Sequence, residues 1–407
     1  MALIVQKYGG SSVADAERIQ HVARRIMRAE QQGNQMVVVV SAMGKTTDRL
    51  IELAGQVAMR PEEREMDVLL STGEVVSMSL LAMALHEMGC PAVSLTGAQA
   101  GIQTDDVFTK ARIRAVDPVR IHRELETGNV VIVAGFQGMT PEMDITTLGR
   151  GGSDTTAVAL AIALRADRCE IYTDVEGVYT ADPRLVAEAR KLKDINYDEM
   201  LEMATSGAKV MHSRAVELGA LYDMPILVAS SFTEAPGTII RGGVTMEIKD
   251  KVRGIAHDTN VAKITVAGVP DRPGIASLIF DPLSKAHISV DCIVQNASVD
   301  KITDLTFTVA RGDLDKAMAI TELVCKEIGA KDCVNDVKLA KVSIVGTGMV
   351  NTPGYAARMF TALAEENINI ELITTSEIRI TCIIGEARAQ DAVRALHRAF
   401  ALESKGE

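Results

Sequence analysis

Four short segments carry residue types suited to handling anions. KYGGSS (7–12) follows the apolar run LIV. Adjacent glycines let the backbone approach a ligand closely, successive N–H groups can cradle phosphate oxygens, and Lys7 adds a positive charge; the same pair also serves a plain turn. LGRGGSD (148–154) opens onto TTAVALAIAL. Gly149, Gly151 and Gly152 leave space for phosphates at a helix N-terminus, where the dipole and free N–H groups favour an anion. Ser153 or Asp154 alone would serve as a cap, and three glycines with an Arg and an Asp exceed what a cap requires. YTDVEGVYTADPR (172–184) begins at a strand end and offers Thr, Asp, Tyr and Arg groups that suit a base, a ribose and phosphates, or a solvent-facing loop. SGAKVMH (206–212) sets Lys209 among small residues, where it either snorkels or reaches a phosphate.

Other chemistries are excluded by spacing. SAMGKTT (41–47) imitates the end of a GxxxxGK phosphate loop, but the first glycine of that pattern falls on Val39. His86-Glu87 begins like a zinc-binding HExxH helix, yet Cys90 stands where the second His belongs, so His86 reads as a packing or surface residue. The six cysteines (Cys90, Cys169, Cys292, Cys325, Cys333, Cys382) include no CxxC pair, which argues for reduced thiols rather than disulfides or zinc. With a formal charge of −11, no basic run and no Trp, the chain lacks a nucleic-acid footprint. The longest apolar run, Ala157 to Leu164, is far short of the roughly 20 residues a spanning helix needs, and MALIVQKYGG is no signal peptide, so a cytoplasmic protein without a membrane span is expected.

The elements that must position these segments follow from periodicity. A chain of 407 residues, 47% hydrophobic, has material for two or three cores. Up to about residue 245, short β-branched runs (LIVQKYGG, MVVVVSAMG, PAVSLTG, NVVIVAGFQG) alternate with amphipathic helices, one through Ile26 and one from about Glu62 to Met88. That alternation implies an α/β fold with a mostly parallel sheet sandwiched by helices. Ligands then bind beyond the carboxyl ends of the strands, where the glycines fall.

From residue 263 the chain repeats itself. Pro273/Pro353, Gly274/Gly354, Phe280/Phe360, Ile288/Ile368 and Asp291/Glu371 share one offset of 80 residues. Each copy reads strand, helix, strand, strand, helix, and the first adds CVNDVKLA, giving βαββαβ. The second copy ends one strand short, and KVRGIAH, at about 251 to 257, is free to complete it. The expected division is therefore 1–245 for the α/β domain that carries the anion-handling segments, 246–262 for a linker and the completing strand, 263–340 for the first repeat and 341–407 for the second.

In this order, KYGGSS, VVVVSAMGKTTD, STGE, TLGRGGSD, TDVEGVYTADPR, GAKVMH and paired repeats of ACT (ferredoxin-like) type, the whole chain resembles the aspartokinases of the amino acid kinase family. The resemblance implies transfer of the ATP γ-phosphoryl group to the side-chain carboxylate of L-aspartate, with Mg²⁺ accompanying ATP, at the entry to lysine, threonine, methionine and isoleucine synthesis. It implies that Lys7 neutralises the transferred phosphoryl, with Tyr8, Gly9 and Gly10 at the nucleotide. Ser41, Thr47, Glu74, Arg150 and Ser153 would hold aspartate, Glu74 meeting its ammonium and Arg150 a carboxylate. Asp154 would orient Lys7 or Lys209, and Thr173, Asp174, Tyr179, Asp182, Arg184 and Lys209 would contact the nucleotide. Ser11 stands where many relatives have Thr, which keeps the hydroxyl.

For the repeats, the resemblance implies feedback by lysine, threonine or both, with Asp271, Gly274, Ile275, Ala276, Asp291 and Gln295 near the effector. Asn351 replaces Asp271 in the second copy, so the two need not bind alike. Pairing of the repeats implies a homo-oligomer, or an α2β2 assembly with a smaller subunit begun at Met246; a purely assembling role for the repeats is the simpler reading. Competing functions are a kinase for glutamate, acetylglutamate or a nucleoside monophosphate, and an inactive amino-acid sensor.

Overall fold

The computed structural model describes residues 2–243, 251–296, 302–349 and 352–403. They form two units, one of residues 2–179, 191–204 and 209–243, the other of residues 180–190, 205–208 and the described chain from 251 onward.

In the first unit the chain runs β1 (Leu3–Tyr8), α1 (Ala16–Gln31), β2 (Gln35–Val40), α2 (Thr46–Val57), α3 (Glu63–Glu87), β3 (Ala92–Leu95), β4 (Ile102–Thr104), β5 (Ile113–Val116), α4 (Val119–Glu126) and β6 (Val130–Ala134). It continues through β7 (Gln137–Met139), β8 (Ile145–Thr147), α5 (Gly152–Ala163), β9 (Arg168–Thr173), β10 (Asp194–Ile195), α6 (Tyr197–Thr205), α7 (Ser213–Leu221), β11 (Ile226–Ser230) and β12 (Thr238–Ile240). Eight strands make one sheet in the order β10-β12-β11-β9-β1-β2-β6-β3, and β5-β4-β7-β8 make a small second sheet. The contacts of β1 with β2 and β9, and of β2 with β6, are parallel, as expected of strands such as VVVV that are buried on both faces.

Because β1 pairs with β2 on one side and with the much later β9 on the other, the strand order switches there. Crossovers leave in opposite directions at such a point, which opens a crevice at the carboxyl edge. KYGG sits at that edge. Helix α1 shows how local sequence sets the flanking layer: Asp15 caps it by accepting from the Arg18 N–H at 2.9 Å, and Ile19, Val22, Ala23 and Ile26 bury one stripe against the sheet. Helix α3, at 25 residues, is long and apolar enough to cross a membrane by length and composition, which the eight-residue apolar run understated. Half of its most apolar stretch is buried inside the protein, and it carries buried Asp67 and Glu74. It is a core helix.

The second unit contains β13 (Gly254–Asp258), β14 (Ala262–Pro270), α8 (Ile275–Lys285), β15 (Val290–Gln295), β16 (Ile302–Val309), α9 (Leu314–Ile328), β17 (Asp332–Asp336), β18 (Leu339–Val345), α10 (Tyr355–Glu365), β19 (Ile370–Thr375), β20 (Arg379–Gly385) and α11 (Ala389–Ala399). Its sheets run β15-β16-β14-β17 and β19-β20-β18-β13. Under the offset of 80 these orders superimpose, with β13 in the place of β17. The strand preceding the first repeat thus closes the second, paired antiparallel to β18 from Gly254↔Val345 to Asp258↔Lys341.

The segment 180–190 also packs here: Ala181 and Val186 join Val252, Ile255 and Phe400 in one core, and the Ile255 N–H donates to the Thr180 carbonyl at 2.7 Å. The expected boundary at residue 245 therefore misses a piece of chain that crosses between units. The Met246 start and the Asn351 position lie outside the described residues. If β13 is integral to the second repeat, Ile255→Ala, at a side chain 2% exposed, lowers unfolding stability by about 3 kcal/mol. Val334→Ala on β17, 49% exposed, changes it by under about 1 kcal/mol, and chemical denaturation compares the two.

Candidate active site

The carboxyl ends of β1, β2 and β6 and the N-terminus of α5 enclose a cleft of about 460 Å³. Among its lining residues are Lys7, Gly9, Gly10, Ser41, Thr47, Glu74, Arg150, Ser153 and Asp154. Residues that lie up to 147 positions apart in the chain thus share one cavity, because parallel strands all end at the same edge.

Lys7 and Asp154 form its centre. Lys7 Nζ lies 2.6 Å from Asp154 Oδ1, with the two side chains only 12% and 10% exposed. Asp154 belongs to the first turn of α5, where the dipole favours an anion, and its Oδ2 accepts from the His212 N–H at 3.2 Å. The glycines are needed by contact. A Cβ on Gly10 would lie 2.7 Å from the Ala42 carbonyl oxygen, so only Gly lets β1 and β2 exits touch. Gly151 has φ of +73°, and a Cβ there would sit 2.3 Å from the His212 ring. Burial pushes the His212 pKa down, against an opposing effect of Asp154.

Glu74 comes from α3 and is 3% exposed. Its Oε1 accepts from the Ala42 N–H at 3.0 Å, while Oε2 has no hydrogen-bond partner among the described residues. Burial pushes its pKa up to about 7, although the Ala42 N–H opposes this. A buried carboxylate with an unused oxygen is a receptor for a cation. Across the cleft, Arg150 is 92% exposed, its nearest charge Asp48 at 3.8 Å. Cation receptor and exposed guanidinium line the same cleft as Lys7, which suits a zwitterion bearing an additional carboxylate.

Other expected residues lie elsewhere. The Tyr8 side chain is 0% exposed, stacked at 5.0 Å on Tyr172 on the face of β1 opposite Lys7, so only its backbone reaches the edge. Any nucleotide contact expected of Tyr8 would therefore be made by its backbone and not by its ring. Thr173 and Asp174 sit at the end of β9, bonded to each other at 3.1 Å, and Tyr179 follows near Lys191; none of these lines the cleft. Lys209 is exposed and also outside it. Asp182 and Arg184 belong to the second unit and pair with each other at 2.8 Å.

In the first repeat, Gly274 opens α8 with φ of +89°. Ile275 begins α8 directly after that turn, with its side chain buried in the core, so only its backbone is placed toward a ligand at the turn. Asp271, Ala276 and Gln295 are exposed, and Asp291 is paired with Lys341 at 2.7 Å. The cysteines are all free, five of them buried, and the His86 ring nitrogen bonds the Ala92 carbonyl at 2.8 Å. Missed by sequence reasoning were Asp48, Leu70, Thr109, Phe136 and Thr147, which line the cleft. Asp67 was missed as well, though it is legible as a second acid seven residues before Glu74 on an apolar helix.

The profile of the amino acid kinase family matches residues 2–230, and that of an ACT domain matches 264–322 and again 342–400. The aspartate kinase of Stutzerimonas stutzeri is 52% identical over 405 residues, covering 99% of this chain and 98% of the relative. The aspartokinase of Pseudomonas aeruginosa is 52% identical over 406 residues, with the same shares. The chain belongs to the amino acid kinase family, among its aspartokinases. A crystal structure of Escherichia coli aspartokinase III with aspartate and ADP aligns with TM-score 0.86 at 26% identity, over 98% of this chain and 99% of that one. The same enzyme with lysine and aspartate aligns at 0.72 and 27%, over 98% and 99%.

A neutral side chain at position 74 removes an isolated buried charge. With a folded pKa near 7 against about 4.5 unfolded, Glu74 destabilises the fold above pH 7 and ceases to as the pH falls through that window. Glu74→Gln is therefore expected to raise stability at pH 8 by about 3 kcal/mol, the gain vanishing toward pH 4, as measured by denaturation at each pH.

Proposed function

We propose that this aspartokinase transfers the γ-phosphoryl group of ATP to the side-chain carboxylate of L-aspartate, releasing 4-phospho-L-aspartate and ADP. The observation that carries the reading is the cleft's division of charge: the Oε2 of buried Glu74, unpartnered among the described residues, the exposed Arg150 guanidinium and the Lys7–Asp154 pair between the glycine turns. The acceptor carboxylate, with an ordinary pKa near 4, is ionised at neutral pH and needs no general base. The obstacle is repulsion between it and the triphosphate. Glu74 takes the substrate ammonium, Arg150 its α-carboxylate, and Ser41, Thr47 and Ser153 the remaining oxygens. Lys7, steadied by Asp154, then neutralises charge on the phosphoryl group as it moves in line.

Among the described residues no three His, Cys, Asp or Glu side chains converge to hold a metal, so a magnesium ion fits here as a companion of the phosphates. Of the cleft's carboxylates, Asp154 stands nearest the glycine turns and would share its charge between Lys7 and the ion, which would supply further charge neutralisation. The nucleotide is expected along the carboxyl edge toward Thr173, Asp174, Tyr179 and Lys209, and Asp182 and Arg184 complete the set carried by the motif.

The ACT repeats are read as binding lysine, threonine or both, at the Gly274 turn, and so as feedback on the first step of lysine, threonine, methionine and isoleucine synthesis. The same reading includes a cytoplasmic protein, assembled through the repeats as a homo-oligomer or with a smaller subunit begun at Met246; native mass spectrometry distinguishes the two.

A coupled assay of ADP release with aspartate, glutamate or no acceptor, each with and without lysine and threonine, tests the reading. Turnover is expected with aspartate alone and inhibition by at least one effector at millimolar concentration. Lys7→Ala is expected to lower kcat by about 10³-fold while the circular dichroism stays that of the parent. Turnover near the parental rate would remove Lys7 from the mechanism. A second expectation follows from Glu74: kcat/KM for aspartate falls below pH 7 by about tenfold per unit as the carboxyl protonates, and Glu74→Gln lowers the plateau and abolishes the slope.

A further inference from the structure

Neither Asp67 nor Arg214 lines the cleft, yet both hold its wall. That wall consists of two backbone segments side by side, 109–111 and 147–148, joined by the Ala111 N–H donating to the Thr147 carbonyl at 2.9 Å. Asp67, 0% exposed on α3, meets the donors: its Oδ2 accepts from the Thr109 N–H at 2.9 Å and the Thr147 N–H at 2.8 Å, and its Oδ1 from the Thr147 hydroxyl at 2.6 Å. Arg214, on α7, meets the acceptors, donating from Nη1 to the Leu148 carbonyl at 2.8 Å and from Nη2 to the Ala111 carbonyl at 2.9 Å. Acid and base thus grip the same two segments through complementary groups.

Three features tie this grip to the substrate. Thr109 has φ of +64°, a conformation disfavoured for a β-branched residue, and its carbonyl packs against Gly149, so the turn needs external support. Three residues beyond Thr147 comes Arg150, whose exposed guanidinium has little of its own to fix it. Asp67 also lies two helical turns before Glu74, on the same side of α3.

We infer that Asp67 and Arg214 are positioning residues for aspartate: together they clamp the Thr109 turn and the strand end leading to Arg150, and thereby set the distance between the carboxylate receptor and the ammonium receptor on α3. This rests on the reading that aspartate occupies the cleft. The expected nucleotide contacts Thr173 and Asp174 lie at the end of β9, which neither Asp67 nor Arg214 touches, so the clamp is expected to move KM for aspartate more than KM for ATP.

The test combines two-substrate kinetics with hydrogen exchange on the full-length enzyme. Asp67→Ala and Arg214→Ala are each expected to raise KM for aspartate by about tenfold or more while KM for ATP stays within about twofold. Exchange at the Thr109 and Thr147 amides accelerates in both. Asp67→Asn rescues most of the loss, because an amide oxygen accepts both N–H groups and its NH₂ donates to the Thr147 hydroxyl. The double variant is no worse than the worse single one, since both act on one wall.

Equal rises in both KM values, a change in melting temperature alone, or unchanged exchange at Thr109 and Thr147 overturns the clamp. Should Asp67→Ala fail to fold, Arg214→Gln decides by the same split in KM and the same exchange. A parent enzyme that releases no ADP with aspartate overturns the reading of the cleft and the proposal with it. Altered exchange without any aspartate-specific effect overturns the positioning role alone.

Discussion

Everything at the carboxyl edge depends on holding one cation against one carboxylate at the point where strand order reverses. Removing Lys7 and Asp154 from water is costly, and their mutual attraction alone does not ensure a net gain. Asp154 is compensated separately, by the first turn of α5 and by the His212 N–H, so its position does not depend on Lys7. Lys7 is therefore held by charge against Asp154, and its ammonium has the donors to take an anion under the proposed reaction. A pair anchored from the acid's side is a prepared electrostatic site, because the reaction has no dipoles left to reorganise.

The reverse face of the same strand explains why Lys7 stays where it is. Alternation sends Gln6 and Tyr8 away from the cleft. There Gln6 donates to Glu170 at 2.8 Å, Tyr8 to Gln6 at 3.1 Å and Tyr172 to Glu170 at 2.9 Å. Arg25 lies 4.2 Å over the Tyr172 ring. Gln6 and Glu170 are register partners of β1 and β9, so this buried network penalises any slip between the strands. A slip by one residue would turn Lys7 into the core and Tyr8 into the cleft. The desolvated tyrosines, whose pKa values burial pushes up, remain neutral donors throughout the physiological range.

What was legible in the sequence was whatever leaves a local mark. Buried parallel strands are written as β-branched runs, close approaches as glycines, and duplicated domains as a constant offset, so the sheet, the glycine turns at its edge and the repeat with its missing strand could all be read. Less legible was direction. Tyr8 stands beside Lys7 in KYGG but on the other face, and Ile275 follows Gly274 but turns inward, because neighbours in a strand or helix start do not share an environment. Least legible were Thr109, Phe136 and Thr147. They reach the cleft through the small sheet β5-β4-β7-β8, whose strands of three or four residues are too short to show a period. The segment 180–190 eluded sequence reasoning for a related reason: its burying partners, Ile255 and Phe400, are distant in the chain.

The repeats carry a symmetry that bears on how a ligand could act through them. Asp291 of the first copy reaches Lys341 of the second at 2.7 Å, and Glu371, the counterpart of Asp291 under the offset of 80, reaches Lys263 of the first at 3.5 Å. Each copy thus lends an acid to a lysine of the other, around an apolar contact of Val261, Cys292, Leu339 and Ile383. The arrangement is close to the self-complementary interface of a twofold dimer, built within one chain. Exposed pairs of this kind contribute little to stability, but Lys341 is largely buried, so its charge has few alternatives to Asp291. An amino acid whose ammonium engages Asp291 competes with Lys341 for that carboxylate. Under the proposed effector reading, occupancy of the Gly274 turn and the pairing of the copies are linked through Asp291, and a ligand that distinguishes the paired from the loosened arrangement shifts their balance by that difference in affinity and no more.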